Sequence, residues 1–421
     1  MTSPVLGPTP AGVGPDVSRM QAIVTRLAGD DFAGRRTGSP GGRAAAHWLA
    51  EQLRAAGATV DLDEFAVPGA VREVYATPQL VFVDGDSRSL VFRREFCEHL
   101  ASADLPRSRT GPLAAVGDLD LAGAWVLEDA WSPERAAAVA AAGAAGLLVP
   151  RGTDAAGWMP KMIVGPATVD LPVLAVRSDI HDQMRGAVGR ATVTATMPLH
   201  MVDVIGSNVV ATFRPPQAGT LAVLLTAHFD GVGDDPDARF PAACDNASGV
   251  AASLEAAHVL HLTLPPEVGL AVALLDAEET GAHGSGHHAR FVEEGTFVIN
   301  LDGAAQLGDA AHVEAGGPAR PLLAALDAAG RQVDVPLKAA AMPSDNRRYA
   351  AAGFAAVGIG MGMPGYQTPA ETPDRVEPDT LDRAARLIIA TVAQLVSSRR
   401  LPLPTSRRCA SRSRRVRRAR E

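Results

Sequence analysis

The amino-acid sequence predicts an α/β protein whose mixed, mostly parallel sheet is flanked by helices, with a small inserted α/β domain. Two observations lead to this fold class. Apolar strand-like runs alternate with helix-like segments over residues 201–398, which is typical of a sheet covered on both faces. Residues 71–200 contain their own short apolar runs around one alanine-rich helix. The chain has 421 residues, of which 47% are hydrophobic, and this is enough for two or three domains.

The first part of the chain is predicted to contain a flexible lead-in followed by two helices. Residues 1–16 are rich in proline and glycine, which favours an irregular segment. Both helices fall within residues 17–57 and are separated by a glycine-rich break. The second helix is the better marked, because Ser39 can cap it, Pro40 suits its first turn and Gly57 can end it.

The remaining elements follow from apolar runs of strand length and from helical spacing of apolar residues. In the predicted insert, strands are expected at residues 79–83, 125–128, 146–149 and 173–176, with a helix over 132–143. In the main domain, residues 17–70 and 201–398, strands are expected at 221–226, 270–275, 296–301 and 355–360. Helices are expected there at 247–262, 319–329 and 379–397.

The charge and composition of the chain bear on nucleic-acid binding, on membrane insertion and on location in the cell. The formal net charge is −8, although eight arginines crowd into residues 407–420, so the rest of the chain is acidic. We therefore expect no nucleic-acid binding by the folded body, and we interpret residues 399–421 as a basic disordered tail. No apolar run reaches about 18 residues, so no membrane span is expected. The absence of a recognisable signal peptide and of any CxxC pair predicts a cytoplasmic location.

Histidine and carboxylate residues follow the ends of several predicted strands. His228 and Asp230 follow the first strand of the main domain, the pair Glu278-Glu279 follows the next, and Asp302 follows the third. Asp245 directly precedes a predicted helix. Each residue alone has an ordinary explanation as a cap, a turn or a solvated side chain. Together they predict a cleft at the carboxyl ends of the strands that binds a divalent cation.

The order of these motifs, H-x-D, D-N-x-S-G, E-E-x-G and N-L-D, resembles that of the di-zinc aminopeptidases of peptidase family M28. The resemblance covers residues 17–70 and 201–398 and includes the phrases at 27–42 and 207–213. Residues 71–200 resemble the protease-associated domain that many such peptidases carry as an insert. The resemblance implies a zinc aminopeptidase-like fold.

The family resemblance also implies residue roles and one or two zinc ions per chain. The implied metal ligands are His228, Asp245, Glu279, Asp302 and Gln367. Asp245 would bridge the two ions, and His228 and Asp302 would complete the first site. The implied catalytic residues are Glu278, as the general base, and Asp230, which would hold the imidazole of His228.

One ligand position departs from the family pattern. Gln367 occupies the place of the usual last histidine, and Glu371 occupies the place of the usual aspartate. An amide oxygen is a poorer zinc ligand than imidazole. Three hypotheses follow: a slower di-zinc hydrolase, a one-metal enzyme with altered chemistry, or a binding protein without catalysis. The histidines within residues 283–288 are a conceivable replacement source, but we expect them to face solvent.

The sequence therefore predicts zinc-dependent hydrolysis of an amide bond. The expected substrate is a small peptide or an aminoacylated small molecule, cleaved at its N-terminal residue. The alternatives are a specialised one-metal amidohydrolase that tailors a metabolite and a degenerate binding protein on the same fold. The oligomeric state is left open by the sequence.

Overall fold

The computed structural model describes residues 14–400. The predicted lead-in and basic tail fall largely on residues 1–13 and 401–421, which lie outside the described residues. The helices are α1 Val17–Leu27, α2 Pro40–Ala55, α3 Pro133–Ala141, α4 Ser178–Arg185, α5 Ser248–Thr263, α6 His283–His288, α7 Arg320–Gln332, α8 Asn346–Ala351 and α9 Pro378–Arg400.

Within residues 14–400, the strands form two eight-stranded sheets. They are β1 Thr59–Val74, β2 Gln79–Asp84, β3 Asp86–Ser89, β4 Phe96–Glu98, β5 Leu105–Ala115, β6 Trp125–Leu127, β7 Gly146–Arg151, β8 Val173–Arg177, β9 Thr192–Met197, β10 Leu199–Arg214, β11 Ala222–His228, β12 Gly269–Leu275, β13 Phe297–Leu301, β14 Ala311–Gly316, β15 Leu337–Ala339 and β16 Ala355–Gly360.

The first sheet has the strand order β1-β10-β12-β11-β13-β16-β14-β15. Its centre is parallel, because β11 pairs in parallel with β12 and β13, and β13 pairs in parallel with β16. Antiparallel pairs lie on both sides of this centre. Every residue of β11 is buried, as expected of a strand covered on both faces. The predicted mixed α/β fold is therefore confirmed.

Helices cover both faces of the first sheet. The larger apolar core joins residues of α1, α2, α5 and α9 to one face of the strands, with Leu225 among them. A smaller cluster on the other face contains Leu224 and the α8 residue Tyr349. Successive β11 residues thus contribute to opposite cores, which is the alternation that a strand imposes. None of the helices within residues 14–400 has the length and apolarity to cross a membrane.

The second sheet is built from residues between β1 and β10, with the order β3-β2-β9-β5-β6-β7-β8-β4. Leu148 and Leu147 of β7 belong to two separate apolar clusters, so this sheet also has two covered faces. The chain leaves the first sheet at Val74 and returns opposite it at Leu199. The identity of residues 71–200 as a protease-associated domain stays a prediction.

Candidate metal centre and active site

Three neighbouring parallel strands end at one edge of the first sheet. Strand β11 ends at His228, the chain continues from β12 into Asp276, and β13 is followed by Asp302. Because parallel strands point the same way, their carboxyl ends bring these side chains to a common edge.

We call the cluster of His228, Asp245 and Asp302 position 1. The Nε2 atom of His228 lies 3.0 Å from Oδ1 of Asp245 and 3.2 Å from Oδ1 of Asp302. One potential ligand atom from each residue lies within 4.8 Å of the others, and all three residues are buried. One imidazole and two carboxylates form a donor set that zinc accepts. The residues of position 1 therefore fit the zinc ion that the sequence resemblance implies.

The loop before α5 holds Asp245 in place. Asp245 lies in the π-turn Ala243–Ala247, and its backbone N–H donates to a carboxylate oxygen of Glu371. The side-chain oxygen of Asn246 accepts the N–H groups of Gly249 (3.0 Å) and Gly303 (2.9 Å). The second of these bonds ties the Asp245 loop to the segment that carries Asp302.

Asp230 contacts both the His228 imidazole and the backbone of the two glutamates. Its carboxylate accepts the backbone N–H groups of Glu278 (3.1 Å) and Glu279 (3.2 Å). Nδ1 of His228 lies 3.2 Å from the backbone oxygen of Asp230 and 3.5 Å from its Oδ1 atom. A proton on Nδ1 can therefore be donated to the carbonyl, which leaves Nε2 free as a ligand. The carboxylate therefore also orients the segment that carries the two glutamates.

We call the group of Asp245, Glu279 and Gln367 position 2. Nε2 of Gln367 donates to Oε2 of Glu279 at 2.5 Å, so the structure brings these two predicted ligands together. Two acceptor atoms, Oε1 of Glu279 and Oε1 of Gln367, are buried without a hydrogen-bond partner. Unpartnered buried oxygens of this kind are suited to a cation. The donors at position 2 are all oxygen, unlike the imidazole-containing set at position 1.

Electrostatics make this edge of the sheet receptive to a cation. Burial raises the pKa of Glu278 and of Glu279 well above the usual value, and nearby carboxylates raise it further. Burial alone would lower the pKa of His228, but Asp302 and other carboxylates raise it well above its usual value. Carboxylates that repel one another in a buried site are relieved by a bound dication.

Three residues that the sequence analysis did not assign to the site support it. Arg35 is buried and donates to four backbone oxygens, among them those of Phe229 (2.7 Å) and Ala242 (2.8 Å). Glu371 accepts the N–H of Gln367 at 2.9 Å as well as that of Asp245. Lys161, between β7 and β8, donates its N–H to the backbone oxygen of Gln367 at 2.9 Å. Only Arg35 and Glu371 lie in motifs that could have signalled a role.

The histidines of α6 are engaged elsewhere. His287 contacts Oδ1 of Asp63 at 3.0 Å, and His288 contacts the hydroxyl of Tyr349 at 2.8 Å. The expectation that all of these histidines face solvent is wrong for His288, which is buried. The His288 ring is buried where α6 packs against α8.

A cavity of about 430 Å³ opens onto Glu278, Glu279 and Gln367. It is also lined by Arg347 and Arg348 from the start of α8. The apolar residues Met162 and Val164, from the segment between β7 and β8, form another part of its wall. The cavity therefore combines carboxylates, guanidinium groups and apolar surface at one site.

The fold of this chain is similar to the folds of solved peptidase structures. A zinc aminopeptidase from Bacillus subtilis superposes with a TM-score of 0.68 at 19% identity, covering 90% of this chain and 94% of that one. An aminopeptidase from Aneurinibacillus sp. strain AM-1 gives 0.67 at 22% identity, with the same coverages. A peptidase M28 precursor from Shewanella amazonensis SB2B gives 0.63 at 19% identity, covering 92% of this chain and 100% of that one.

Sequence comparison gives a match to one family model and to one curated relative. Residues 208–392 match the family model described as peptidase family M28. A protein described as "Probable lipoprotein aminopeptidase LpqL" from Mycobacterium tuberculosis is 29% identical over 277 residues, which are 62% of this chain. The chain spans about half (51%) of the length of that curated relative. The matched residues 208–392 contain all the predicted metal ligands.

Proposed function

We propose that this chain is a zinc-dependent hydrolase that removes the N-terminal residue of a small peptide or an aminoacylated small molecule. The observation that carries the proposal is the convergence of His228, Asp245 and Asp302 at the sheet edge, next to the cavity that Glu278 lines. The family match of residues 208–392 supports the same reaction class.

Position 1 would hold the zinc ion through His228, Asp245 and Asp302. A zinc ion bound there supplies Lewis acidity, which polarises a carbonyl group and lowers the pKa of water. Glu278 is suited to take a proton from water and pass it to the leaving amine, because burial raises its pKa well above the usual value and makes it a stronger base. The N–H contact with Asp230 holds the Glu278 backbone in place.

The cavity supports a short peptide as substrate. Its volume of about 430 Å³ lies in the range of small-ligand sites. The negative charge of the carboxylates that line the cavity attracts a substrate amine, whereas Arg347 and Arg348 offer guanidinium groups to a substrate carboxylate. A short peptide carries both groups, one at each end.

The test is turnover by zinc-loaded protein of aminoacyl p-nitroanilides, of dipeptides and of the same dipeptides as C-terminal amides. We expect Glu278→Gln to lower kcat by about 10²- to 10⁴-fold without loss of zinc. The matched control is Glu294→Gln, which changes an exposed glutamate and should leave kcat unchanged. Wild-type turnover by Glu278→Gln, or no turnover of any substrate by the zinc-loaded wild type, would contradict the proposal.

A second candidate is a non-catalytic binding protein on the same fold. The observation that favours it is Gln367, whose amide bonds to Glu279 where the family pattern has a histidine ligand. This candidate predicts that zinc-loaded wild type and Glu278→Gln are equally inactive. The same experiment therefore separates the two functions.

A further inference from the structure

Position 2 offers only oxygen atoms to a cation. Glu279 and Gln367 are 9% and 5% exposed, and each keeps one oxygen without a partner. Leaving a buried acceptor unpaired costs about 1–3 kcal/mol. The hydrogen bond between the two side chains uses Nε2 of Gln367 and Oε2 of Glu279, so it leaves both unpartnered Oε1 atoms available as ligands.

Among the described residues, no histidine forms a group of three potential metal ligands with Asp245 and Glu279. His287 and His288 are bonded to Asp63 and Tyr349. Lys161 does not substitute as a cation, because its Nζ atom lies 3.0 Å from Asp235 and donates to the backbone oxygens of Gly233 and Asp234. The donor set therefore stays at two carboxylates and one amide.

Hydrogen bonds hold the backbone of Gln367 in place, and this limits the directions in which its side chain can point. Its N–H donates to Glu371 and its carbonyl oxygen accepts from Lys161, each at 2.9 Å. Its φ of 53° lies in the left-handed region, which costs a non-glycine residue of order 1 kcal/mol or more. Glu371 also holds the Asp245 N–H, so one carboxylate positions two members of position 2.

We propose that position 2 binds an oxygen-preferring divalent cation, of the class of Mn²⁺ or Mg²⁺, while position 1 holds zinc. Carboxylate and carbonyl oxygens suit these cations, whereas imidazole favours zinc. The metal centre then holds two different metals, because Gln367 supplies an oxygen ligand at position 2 where an imidazole would favour zinc. The proposal rests on the proposed function only in that Asp245 is shared between the two positions.

The experiment starts from metal-free full-length protein that receives one equivalent of zinc and is then titrated with Mn²⁺. Free aqueous Mn²⁺ gives a strong electron paramagnetic resonance signal that weakens on binding, so binding is read without any activity assay. We expect one Mn²⁺ per chain in the wild type. Gln367→Ala should weaken Mn²⁺ binding by about tenfold or more. Gln217→Ala, at an exposed glutamine, is the matched control and should bind as the wild type does.

The variant Gln367→His tests the selectivity directly. Restoring an imidazole should let a second equivalent of zinc displace Mn²⁺ at a concentration about tenfold or more below that needed in the wild type. Retention of the first zinc equivalent by each variant shows that its site is folded. If Gln367→Ala loses the first zinc equivalent, the proposal is tested by comparing zinc displacement of Mn²⁺ in the wild type and in Gln367→His.

Three results would overturn the heteronuclear centre. They are no Mn²⁺ binding by the wild type, equal Mn²⁺ affinity in a folded Gln367→Ala variant, and unchanged zinc displacement in Gln367→His. Any of these leaves the proposed hydrolysis standing if zinc alone supports turnover. Conversely, Mn²⁺ binding that depends on Gln367 in a protein without turnover refutes the proposed function and keeps this inference.

Discussion

Replacing Asp230 by asparagine probes the contact between the metal centre and the proposed base. One carboxylate accepts two backbone N–H groups, from Glu278 at 3.1 Å and Glu279 at 3.2 Å. An asparagine side chain has a single acceptor oxygen, so one buried N–H loses its partner. This loss should lower the free energy of unfolding by about 1–3 kcal/mol. A displacement of Glu278 by about 1 Å is enough to lower kcat by roughly 10²-fold.

The assay for Asp230→Asn combines urea unfolding of the metal-free protein with turnover at saturating zinc. The control is Asp309→Asn, which changes an exposed aspartate a few residues after Asp302. Zinc should still bind at position 1, because His228 keeps its contact with the Asp230 carbonyl oxygen. Wild-type stability together with wild-type kcat would refute the view that this carboxylate positions the glutamates.

Three further predictions concern the surroundings of the site. Zinc affinity should still be rising with pH above about 6.5, the ordinary pKa of histidine, because the surrounding carboxylates raise the pKa of His228 and burial raises the pKa of Asp245. The metal-free ligands then hold protons that zinc must displace. Calorimetry in buffers of different ionisation enthalpy should show proton release, and a pH-independent affinity would contradict this prediction. Arg35→Lys should lower the free energy of unfolding by about 1–3 kcal/mol for each carbonyl oxygen left unpaired, because a lysine has three donors for the four oxygens that Arg35 contacts. The control is Arg107→Lys, which changes an exposed arginine. Asp235→Asn should lower the free energy of unfolding by about 3–5 kcal/mol, because Asp235 forms buried ion pairs with both Arg93 and Lys161. Thermal unfolding that matches the wild type would show that these ion pairs contribute nothing to stability.

The central strands and the main helices could be predicted because apolar periodicity is strong there. Strand β11 is a continuous apolar run, and α9 repeats its apolar residues at helical spacing. The paired strands β1 and β10 were not predicted, although each has 16 residues. Both contain charged residues and a glycine, and they are held by pairing with each other over most of their length. Such long-range pairing leaves no mark in a local pattern.

The site shows the same division between local and distant signals. The residues of position 1 follow strands or precede a helix, and such positions can be read along the chain. The hydrogen bond from Gln367 to Glu279 joins residues 88 positions apart, and the contact of Glu371 with Asp245 spans 126. Lys161 reaches Gln367 from the segment between β7 and β8, and nothing in its sequence context signals this. The contacts of Gln367 with Glu279 and of Glu371 with Asp245 join loops of the first sheet, whereas the contact of Lys161 joins a loop of the second sheet to them.

The most direct test of the central claim is zinc X-ray absorption spectroscopy on protein loaded with one equivalent of zinc. The account predicts one imidazole in the zinc coordination shell, with all other ligands oxygen, because His228 is the only histidine of position 1. The imidazole signal should vanish in His228→Ala. Sulfur ligands, two or more imidazoles, or an unchanged spectrum in His228→Ala would place zinc elsewhere and contradict the account.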